Sequence, residues 1–255
     1  MIDDAGLLRY SRQIMLPDFD VAGQEKLLAS RVLVVGLGGL GSPVALYLAA
    51  AGIGSLHLAD GDAVDVSNLQ RQIAHGERDL NVNKAESAAA ACKALNPGTE
   101  LHVTAEYLDG AALTQAVSVA DLVVDATDSF AARLQINRAC IRAQKPLVSG
   151  AAVACEGQVT VFDVAQGTGC YRCLYPQGEA EPQLSCSESG VLSPIVGLVG
   201  SLQALEAIKR LTGYGDSLAG SLLLLDGRSL DLRRLKTVRN PDCPDCSLDP
   251  TPAGA

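Results

Sequence analysis

The chain has 255 residues, of which 48% are hydrophobic and 19% charged, values typical of a globular protein large enough to bury a substantial core. Its net charge of −9 argues against nucleic acid as the main ligand. No apolar run reaches the roughly 18 residues of a membrane span, and nothing at the start of the sequence resembles a signal peptide. We therefore expect a cytoplasmic protein whose eight cysteines are ligands, nucleophiles or core residues rather than disulfides.

Strand and helix patterns alternate over the first 150 residues. Residues 31–35 form a short apolar run that ends at glycines, and residues 42–51 are rich in Ala and Leu and stop at Gly52. Further strand and helix patterns continue this alternation, at residues 55–60, 84–95, 101–105, 121–125, 131–143 and 146–149. The repetition predicts a doubly wound, Rossmann-like α/β fold with a mostly parallel sheet.

The pattern changes after residue 150. Residues 158–164 and 222–225 alternate like half-exposed strands, and a helix is predicted over 195–211. We expect these strands to be antiparallel and to extend the same sheet. The stretch 176–190 is rich in Glu, Ser and Gly and predicts a mobile loop.

These patterns predict one domain over residues 1–249. It comprises N-terminal helices within 1–30, a nucleotide-binding half over 31–150 and a second half over 151–249 that carries paired cysteines. Residues 250–255 predict a disordered tail.

A glycine-rich loop follows the first predicted strand. Gly36, Gly38 and Gly41 form a Gly-x-Gly-x-x-Gly pattern, with a further glycine at Gly39. Such a loop lets the backbone approach a pyrophosphate, and the helix that follows supplies N–H donors and a partial positive charge. Asp60, at the end of the next strand, is placed to hydrogen-bond ribose hydroxyls. On these residues alone, a nicotinamide dinucleotide site and an ATP site both remain open.

A polar segment after that strand favours a triphosphate. It contains Ser67, the amides Asn68 and Gln70, and the cations Arg71 and, further on, Lys84. A nicotinamide dinucleotide carries only a pyrophosphate, whereas a triphosphate needs cations that stabilise the charge on the departing pyrophosphate. The alternative is a solvated surface loop, where Arg and Lys usually lie.

Asp128 is a candidate magnesium ligand. It follows a predicted strand at the edge where open α/β sheets bind ligands. A carboxylate there can hold Mg²⁺ that bridges phosphate oxygens. The alternative is that Asp128 caps the helix that follows.

The cysteines predict a structural zinc site. Cys170 with Cys173, and Cys243 with Cys246, form two Cys-x-x-Cys pairs, the spacing of a closed tetrahedral Cys₄ site. Two redox-active pairs are the alternative, although neither lies in a thioredoxin-like context. Cys186 lies in the polar loop, where a thiol is a nucleophile only if its pKa is lowered. A catalytic and a passive Cys186 both remain open.

The combination of these segments resembles the ThiF/MoeB/HesA family, the bacterial relatives of ubiquitin-activating enzymes. The resemblance begins at residues 9–14 (Arg-Tyr-Ser-Arg-Gln-Ile) and continues through the glycine loop, the Ser-Asn-Leu-Gln-Arg-Gln segment and the Ala-Thr-Asp strand end to the last cysteine pair. It implies a nucleotidyltransferase that uses MgATP to adenylate the C-terminal Gly-Gly carboxylate of a ubiquitin-like sulfur-carrier protein. A separate sulfurtransferase or cysteine desulfurase would then supply sulfur.

The resemblance also implies roles for individual residues. Arg12 would reach into the ATP site of a second subunit, which implies a homodimer, and Cys186 would take part in thioester or persulfide transfer. The implied ATP contacts are Gly36, Gly38, Gly39, Gly41, Asp60, Ser67, Asn68, Gln70, Arg71, Lys84, Asp128 and Ser129, with Asp128 also binding Mg²⁺.

The carrier and the pathway depend on finer resemblances. Residues 213–215 and 239–243 resemble the molybdopterin-synthase branch, which implies molybdenum cofactor biosynthesis, whereas residues 171–176 resemble the thiamin thiazole branch. Two other classes of function stay open. An NAD(P)-dependent oxidoreductase would have no use for Arg71 or Lys84, and a non-catalytic scaffold would hold a carrier without turning over ATP.

Overall fold

The computed structural model describes residues 2–176 and 190–247, and its centre is one sheet of eight strands. In chain order the strands are β1 (Arg31–Val35), β2 (Ser55–Ala59), β3 (Glu100–Thr104), β4 (Leu122–Asp125), β5 (Leu147–Val153), β6 (Glu156–Phe162), β7 (Ser221–Asp226) and β8 (Asp231–Lys236). The helices are α1 (Asp4–Arg9), α2 (Ser11–Ile14), α3 (Asp20–Ala29), α4 (Gly41–Ala51), α5 (Lys84–Leu95), α6 (Gly110–Val119), α7 (Phe130–Ala143), α8 (Tyr171–Leu174) and α9 (Ser193–Thr212).

The order of the strands fixes where a ligand can bind. Across the sheet they run β3-β2-β1-β4-β5-β6-β7-β8. The first five are parallel and the last three pairings are antiparallel. The chain moves outward from β1 to β3 and then returns to β4 on the other side of β1, which makes a switch point between β1 and β4. The predicted fold class is confirmed, and the strands after residue 150 join the same sheet.

Helices cover both faces of the central strands. Val32 and Val34 of β1 pack in the core beneath α4 and α9, whereas Leu33 and Val35 pack in the core beneath α6 and α7. Burial on both faces explains why β1 is a continuous apolar run. Helix α9 lies close to the start of α4, since a side chain at Gly200 would come within 2.3 Å of the Leu40 carbonyl oxygen.

Most predicted elements lie within two residues of their observed bounds. Helix α4 ends at Gly52, whose φ of 89° is left-handed, as the predicted stop requires. Strand β8 was not predicted, because all six of its residues are exposed and no alternation marks them. Residues 177–189 and 248–255, which include Cys186 and the predicted tail, lie outside the described residues. Within 2–176 and 190–247, no helix combines the length and the apolarity needed to cross a membrane.

Candidate functional site

A cavity of about 540 Å³ opens at the carboxyl ends of the parallel strands, at the switch point between β1 and β4. Its wall includes the ends of β1 and β2, the loops after β3 and β4, and the first turns of α7. The wall brings together eight of the predicted site residues, Gly36, Gly38, Gly39, Asp60, Arg71, Lys84, Asp128 and Ser129.

The glycine loop is shaped by two positions that have no room for a side chain. Gly36 has a φ of 89°, and a Cβ there would lie 2.8 Å from the carbonyl oxygen of Ala126 after β4. A Cβ on Gly41 would lie 1.8 Å from the Gly36 carbonyl oxygen. Gly41 therefore allows α4 to begin directly against the loop, whereas Gly38 and Gly39 form part of the cavity wall.

Asp60 braces this loop from the end of β2. One carboxylate oxygen accepts the Leu37 N–H at 2.7 Å, and the other accepts the Asp62 N–H at 2.8 Å. Burial raises the pKa of Asp60, and these two hydrogen bonds oppose that shift. Each oxygen keeps a further lone pair with which to accept a ligand hydroxyl.

His75 supports the same loop from beneath. Its Nε2 lies 2.9 Å from the Leu37 carbonyl oxygen, and its Nδ1 lies 2.8 Å from the Ser87 Oγ. Burial lowers the pKa of His75, so the ring is neutral at pH 7. Because a carbonyl oxygen only accepts, Nε2 carries the proton and Ser87 donates to Nδ1.

Lys84 presents a buried cation to the cavity. It is the first residue of α5, which Asn83 caps by accepting the Ala85 N–H at 2.8 Å. Its Nζ lies 2.7 Å from one oxygen of Asp62, and the Tyr107 hydroxyl donates to the other. Burial alone would raise the pKa of Asp62, but the hydrogen bonds from Lys84 and Tyr107 outweigh burial and lower it.

Arg71 is another cation in the cavity wall. Its guanidinium donates to the Ser67 carbonyl oxygen at 3.1 Å. The Asn68 side chain accepts the Asp65 N–H at 3.2 Å and so caps its own short turn. Among the described residues, Ser67, Asn68 and Gln70 do not form part of the wall.

The loop after β4 is fixed by a buried neighbour of Asp128. Asp125 accepts hydrogen bonds from the Thr127 N–H at 3.0 Å and the Ser149 hydroxyl at 3.0 Å. Asp128 itself is exposed at the cavity and makes no hydrogen bond or ion pair with the part of the chain that the structure describes. Ser129, not Asp128, caps α7, by accepting the Ala132 N–H at 3.4 Å, so the alternative role as a helix cap is wrong for Asp128.

The four paired cysteines meet, as predicted. All four Sγ atoms lie within 4.8 Å of one another, with Cys170 and Cys243 at 3.6 Å and Cys173 and Cys246 at 3.4 Å. Four thiolates around one zinc, at about 2.3 Å each, would lie roughly 3.8 Å apart. A disulfide needs about 2.05 Å. The arrangement therefore fits a Cys₄ zinc site.

The cysteine cluster also braces the wall of the cavity. Asp245, between the last two cysteines, accepts hydrogen bonds from Arg138 at 3.0 Å and from Asn137 at 3.4 Å. Asn137 in turn accepts the Tyr171 N–H at 2.9 Å. Both Arg138 and Asn137 belong to α7, whose first turns line the cavity. Zinc bound by the cysteines would hold the chain's end against this helix.

Comparison with protein-family models gives one decisive match, the ThiF family, over residues 10–245. This chain belongs to the ThiF family. The family resemblance that the motifs predicted is thereby confirmed.

Relatives of this ThiF-family chain carry the names of adenylyltransferases. The molybdopterin-synthase adenylyltransferase of Escherichia coli K12 is 47% identical over 245 residues, which are 96% of this chain and 98% of that protein. The sulfur carrier protein ThiS adenylyltransferase of the same organism is also 47% identical, over 96% of this chain and 97% of that protein. A Zea mays adenylyltransferase and sulfurtransferase, MOCS3-1, is 48% identical over 94% of this chain, but the match spans only 52% of that protein.

Solved structures agree with the fold. Escherichia coli MccB with ATP gives a TM-score of 0.76 at 26% identity, over 89% of this chain and 69% of that one. MccB with MccA-N7isoASN gives a TM-score of 0.82 at 24% identity, over 96% of this chain and 76% of that one. The second likeness shows the fold alone.

Besides Ser67, Asn68 and Gln70, two further predicted residues among those described lie outside the cavity wall, Gly41 and Arg12. Gly41 packs behind the glycine loop, as described above. Arg12 is exposed on α2, outside the cavity wall, and has no hydrogen-bond or ion-pair partner within 2–176 and 190–247. Cys186 lies outside the described residues.

Seven polar residues of the wall were not predicted, namely Asp62, Gln72, Tyr107, Asp109, Thr127, Arg133 and Gln135. Asp62 and Tyr107 follow the carboxyl ends of β2 and β3, which are neighbours in the sheet. The rule that ligands bind beyond these strand ends is a signal that could have found both. Gln72 is buried, and its side-chain oxygen has no hydrogen-bond partner among the described residues.

Proposed function

We propose that this ThiF-family protein uses ATP to adenylate the C-terminal Gly-Gly carboxylate of a ubiquitin-like sulfur-carrier protein and releases pyrophosphate. The observation that carries the proposal is that Arg71, Lys84 and the carboxylate of Asp128, which has no partner among the described residues, line one cavity together with the glycine loop. A nicotinamide dinucleotide has no triphosphate for these cations. The adenylyltransferase names of the relatives support the same reaction.

The proposed nucleotide contacts follow from the wall. Backbone N–H groups of the glycine loop and the start of α4 would face the phosphates. Asp60 would accept hydrogen bonds from ribose hydroxyls with its remaining lone pairs, while it continues to brace the loop. Ser67, Asn68 and Gln70 lie outside the wall, and we propose that they complete the phosphate contacts from their turn next to Arg71.

The chemistry is a substitution at the α-phosphorus. A carboxylate oxygen of the carrier forms the new bond to phosphorus, and the bond from phosphorus to the pyrophosphate oxygen breaks, with its electron pair leaving on pyrophosphate. The attacking carboxylate is already ionised, so no general base is needed. Lys84 and Arg71 would stabilise the charge that develops on the departing pyrophosphate. Lys84, whose Nζ lies 2.7 Å from Asp62 in the structure, would donate to a phosphate oxygen when ATP is bound.

Magnesium and zinc would have different roles. The Asp128 carboxylate is a hard oxygen ligand at the cavity with no competing partner among the described residues, which fits Mg²⁺. Bound there, Mg²⁺ would neutralise charge on the phosphates. Zinc at the cysteine cluster would be structural, because four protein thiolates leave no open coordination position.

The proposal extends to the assembly. An exposed Arg12 outside its own cavity is consistent with a homodimer in which it enters the partner's ATP site. The Cys186 thiolate would attack the acyl carbon of the carrier adenylate, so that a thioester forms and AMP leaves. In the persulfide alternative, a persulfide on a separate sulfurtransferase or cysteine desulfurase would first transfer its outer, sulfane sulfur to Cys186, and the Cys186 persulfide would then attack the same carbon and expel AMP. The substrates and the free thiols favour a cytoplasmic location.

The molybdopterin-synthase carrier is the first candidate substrate, which would place the enzyme in molybdenum cofactor biosynthesis. The thiamin-thiazole carrier is the second, because identity to the relative named for ThiS is equally high at 47%.

The experiment is ATP–pyrophosphate exchange by zinc-replete protein with each carrier in turn. Exchange that requires one carrier would identify the substrate. Carrier binding without exchange would favour a scaffold, and binding of nicotinamide dinucleotides but not ATP would favour an oxidoreductase.

A further inference from the structure

Tyr107 stands out in the cavity wall. It is the one aromatic residue among the described residues that line the cavity, and it lies in the loop that follows β3. Tyr107 is 72% exposed. The chain has only nine Phe and Tyr residues and no Trp, so an aromatic residue that is not used in the core is unusual here. An aromatic ring that is left open to solvent inside a binding cavity has a surface available for a planar ligand.

One face of this ring is already covered. A Cβ placed on Gly61 would lie 2.7 Å from Cδ2, 2.8 Å from Cε2 and 2.8 Å from Cγ of Tyr107. Three adjacent ring atoms at nearly equal distances mean that the ring lies face-on above Gly61. The φ of Gly61 is not left-handed, so the space taken by the ring, rather than the backbone conformation, explains the glycine. The opposite face of the ring is the exposed one.

The far end of the ring is held as well. The Tyr107 hydroxyl donates to Asp62, which Lys84 also contacts at 2.7 Å. The hydrogen bond to Asp62 is the largest cause that raises the pKa of Tyr107 to about 12, so the hydroxyl remains a donor at neutral pH. With one face packed and the hydroxyl anchored, the ring loses little further freedom when a ligand binds.

The surroundings favour a neutral ligand over the ring. Asp62, which accepts the ring hydroxyl, and Asp109, two residues after Tyr107, both line the cavity and disfavour an anionic group directly over the ring, whereas Lys84 lies on the far side of the hydroxyl contact, at Asp62. Apolar side chains of Leu108, Ala132 and Ile136 line the same cavity.

We propose that Tyr107 is a pre-formed stacking platform for the adenine base of ATP, with Asp60, next to Gly61, holding the adjoining ribose. This inference rests on the proposed function, since it presumes that the cavity binds ATP.

Calorimetric titration of the zinc-replete full chain with ATP tests it, in wild type, Tyr107→Ala and the matched control Tyr107→Phe. Loss of the ring in Tyr107→Ala should raise the Kd for ATP about tenfold. Tyr107→Phe keeps the ring and loses only the hydrogen bond from the hydroxyl to Asp62, so its Kd for ATP should rise about two- to threefold. Titration with inorganic tripolyphosphate, which has no base, should give the same Kd in wild type and Tyr107→Ala.

Three results would overturn the platform. The first is an ATP affinity of Tyr107→Ala that equals or exceeds that of wild type. The second is an equal loss of ATP affinity in Tyr107→Ala and Tyr107→Phe. The third is an equal loss of affinity for ATP and for tripolyphosphate in Tyr107→Ala, which would mean that the ring acts through Asp62 and Lys84. Because Tyr107 is exposed, the variants should fold, and a thermal melt checks this. Wild-type protein that binds no ATP would instead contradict the proposed function itself.

Discussion

Replacing Lys84 by Met separates the catalytic role of this residue from its structural role. The change keeps most of the buried aliphatic stem and removes the charge that lies 2.7 Å from Asp62. The Lys84 side chain is 8% exposed and that of Asp62 is 46% exposed. Water can therefore solvate the carboxylate that remains, and the free energy of unfolding should fall by no more than about 1 kcal/mol.

The effect on the reaction should be much larger. Loss of one donor aimed at developing charge typically costs about 2.7–4 kcal/mol of transition-state stabilisation, or roughly 10²- to 10³-fold in rate. The rate of ATP–pyrophosphate exchange by Lys84→Met should fall by that factor, while the urea concentration at the midpoint of unfolding should change little. Arg78→Met is the matched control, because the Arg78 side chain is 86% exposed and its one ion pair among the described residues is with its neighbour Asp79.

Two results would refute this reasoning. Exchange within tenfold of wild type would mean that Lys84 does not contact the phosphates during the reaction. A loss of stability that accounts for the loss of activity would mean that the Asp62 ion pair is primarily structural.

Four further predictions concern other parts of the molecule. Asp128→Asn should abolish exchange and leave the melting temperature unchanged, because Asp128 has no partner among the described residues; normal exchange would exclude it as the magnesium ligand. Cys173→Ser should lose the bound zinc measured by elemental analysis and lower the melting temperature, and unaltered metal content would contradict the ligand assignment. Burial lowers the pKa of His75, so the unfolded chain takes up the proton first and stability should decrease as the pH falls below about 6.5. Between pH 7.5 and pH 5.5, the free energy of unfolding measured with urea should decrease less in His75→Gln than in wild type. An identical decrease in the two proteins would exclude His75 as the source of the pH dependence. Cys186→Ala should keep exchange and lose any covalent carrier adduct on denaturing gels; an adduct that persists would exclude this thiol.

The features that sequence predicted best are those fixed by local chemistry. Strand β1 is apolar because both of its faces are buried. Gly36 and Gly41 are glycines because the surrounding backbone leaves no space for a Cβ. Cys170 and Cys243, far apart in sequence, were predicted to share a site because Cys-x-x-Cys pairs are a recognisable ligand pattern.

The features that sequence did not predict depend on contacts between distant segments. The pairing of Tyr107 with Asp62 requires that β3 lie beside β2 in register, which no local pattern specifies. The role of Asp60 in bracing Leu37 depends on the loop folding back onto the strand end. Strand β8 forms because β7 offers it an edge, not because its own exposed residues favour a strand.

Mass spectrometry of the carrier after incubation with the enzyme and MgATP tests the central claim most directly. The account predicts that a carrier ending in Gly-Gly gains the mass of one adenylate, and that the same carrier without its last glycine does not. An unmodified Gly-Gly carrier, recovered bound to an enzyme that also binds ATP, would contradict adenylation as the function of this cavity.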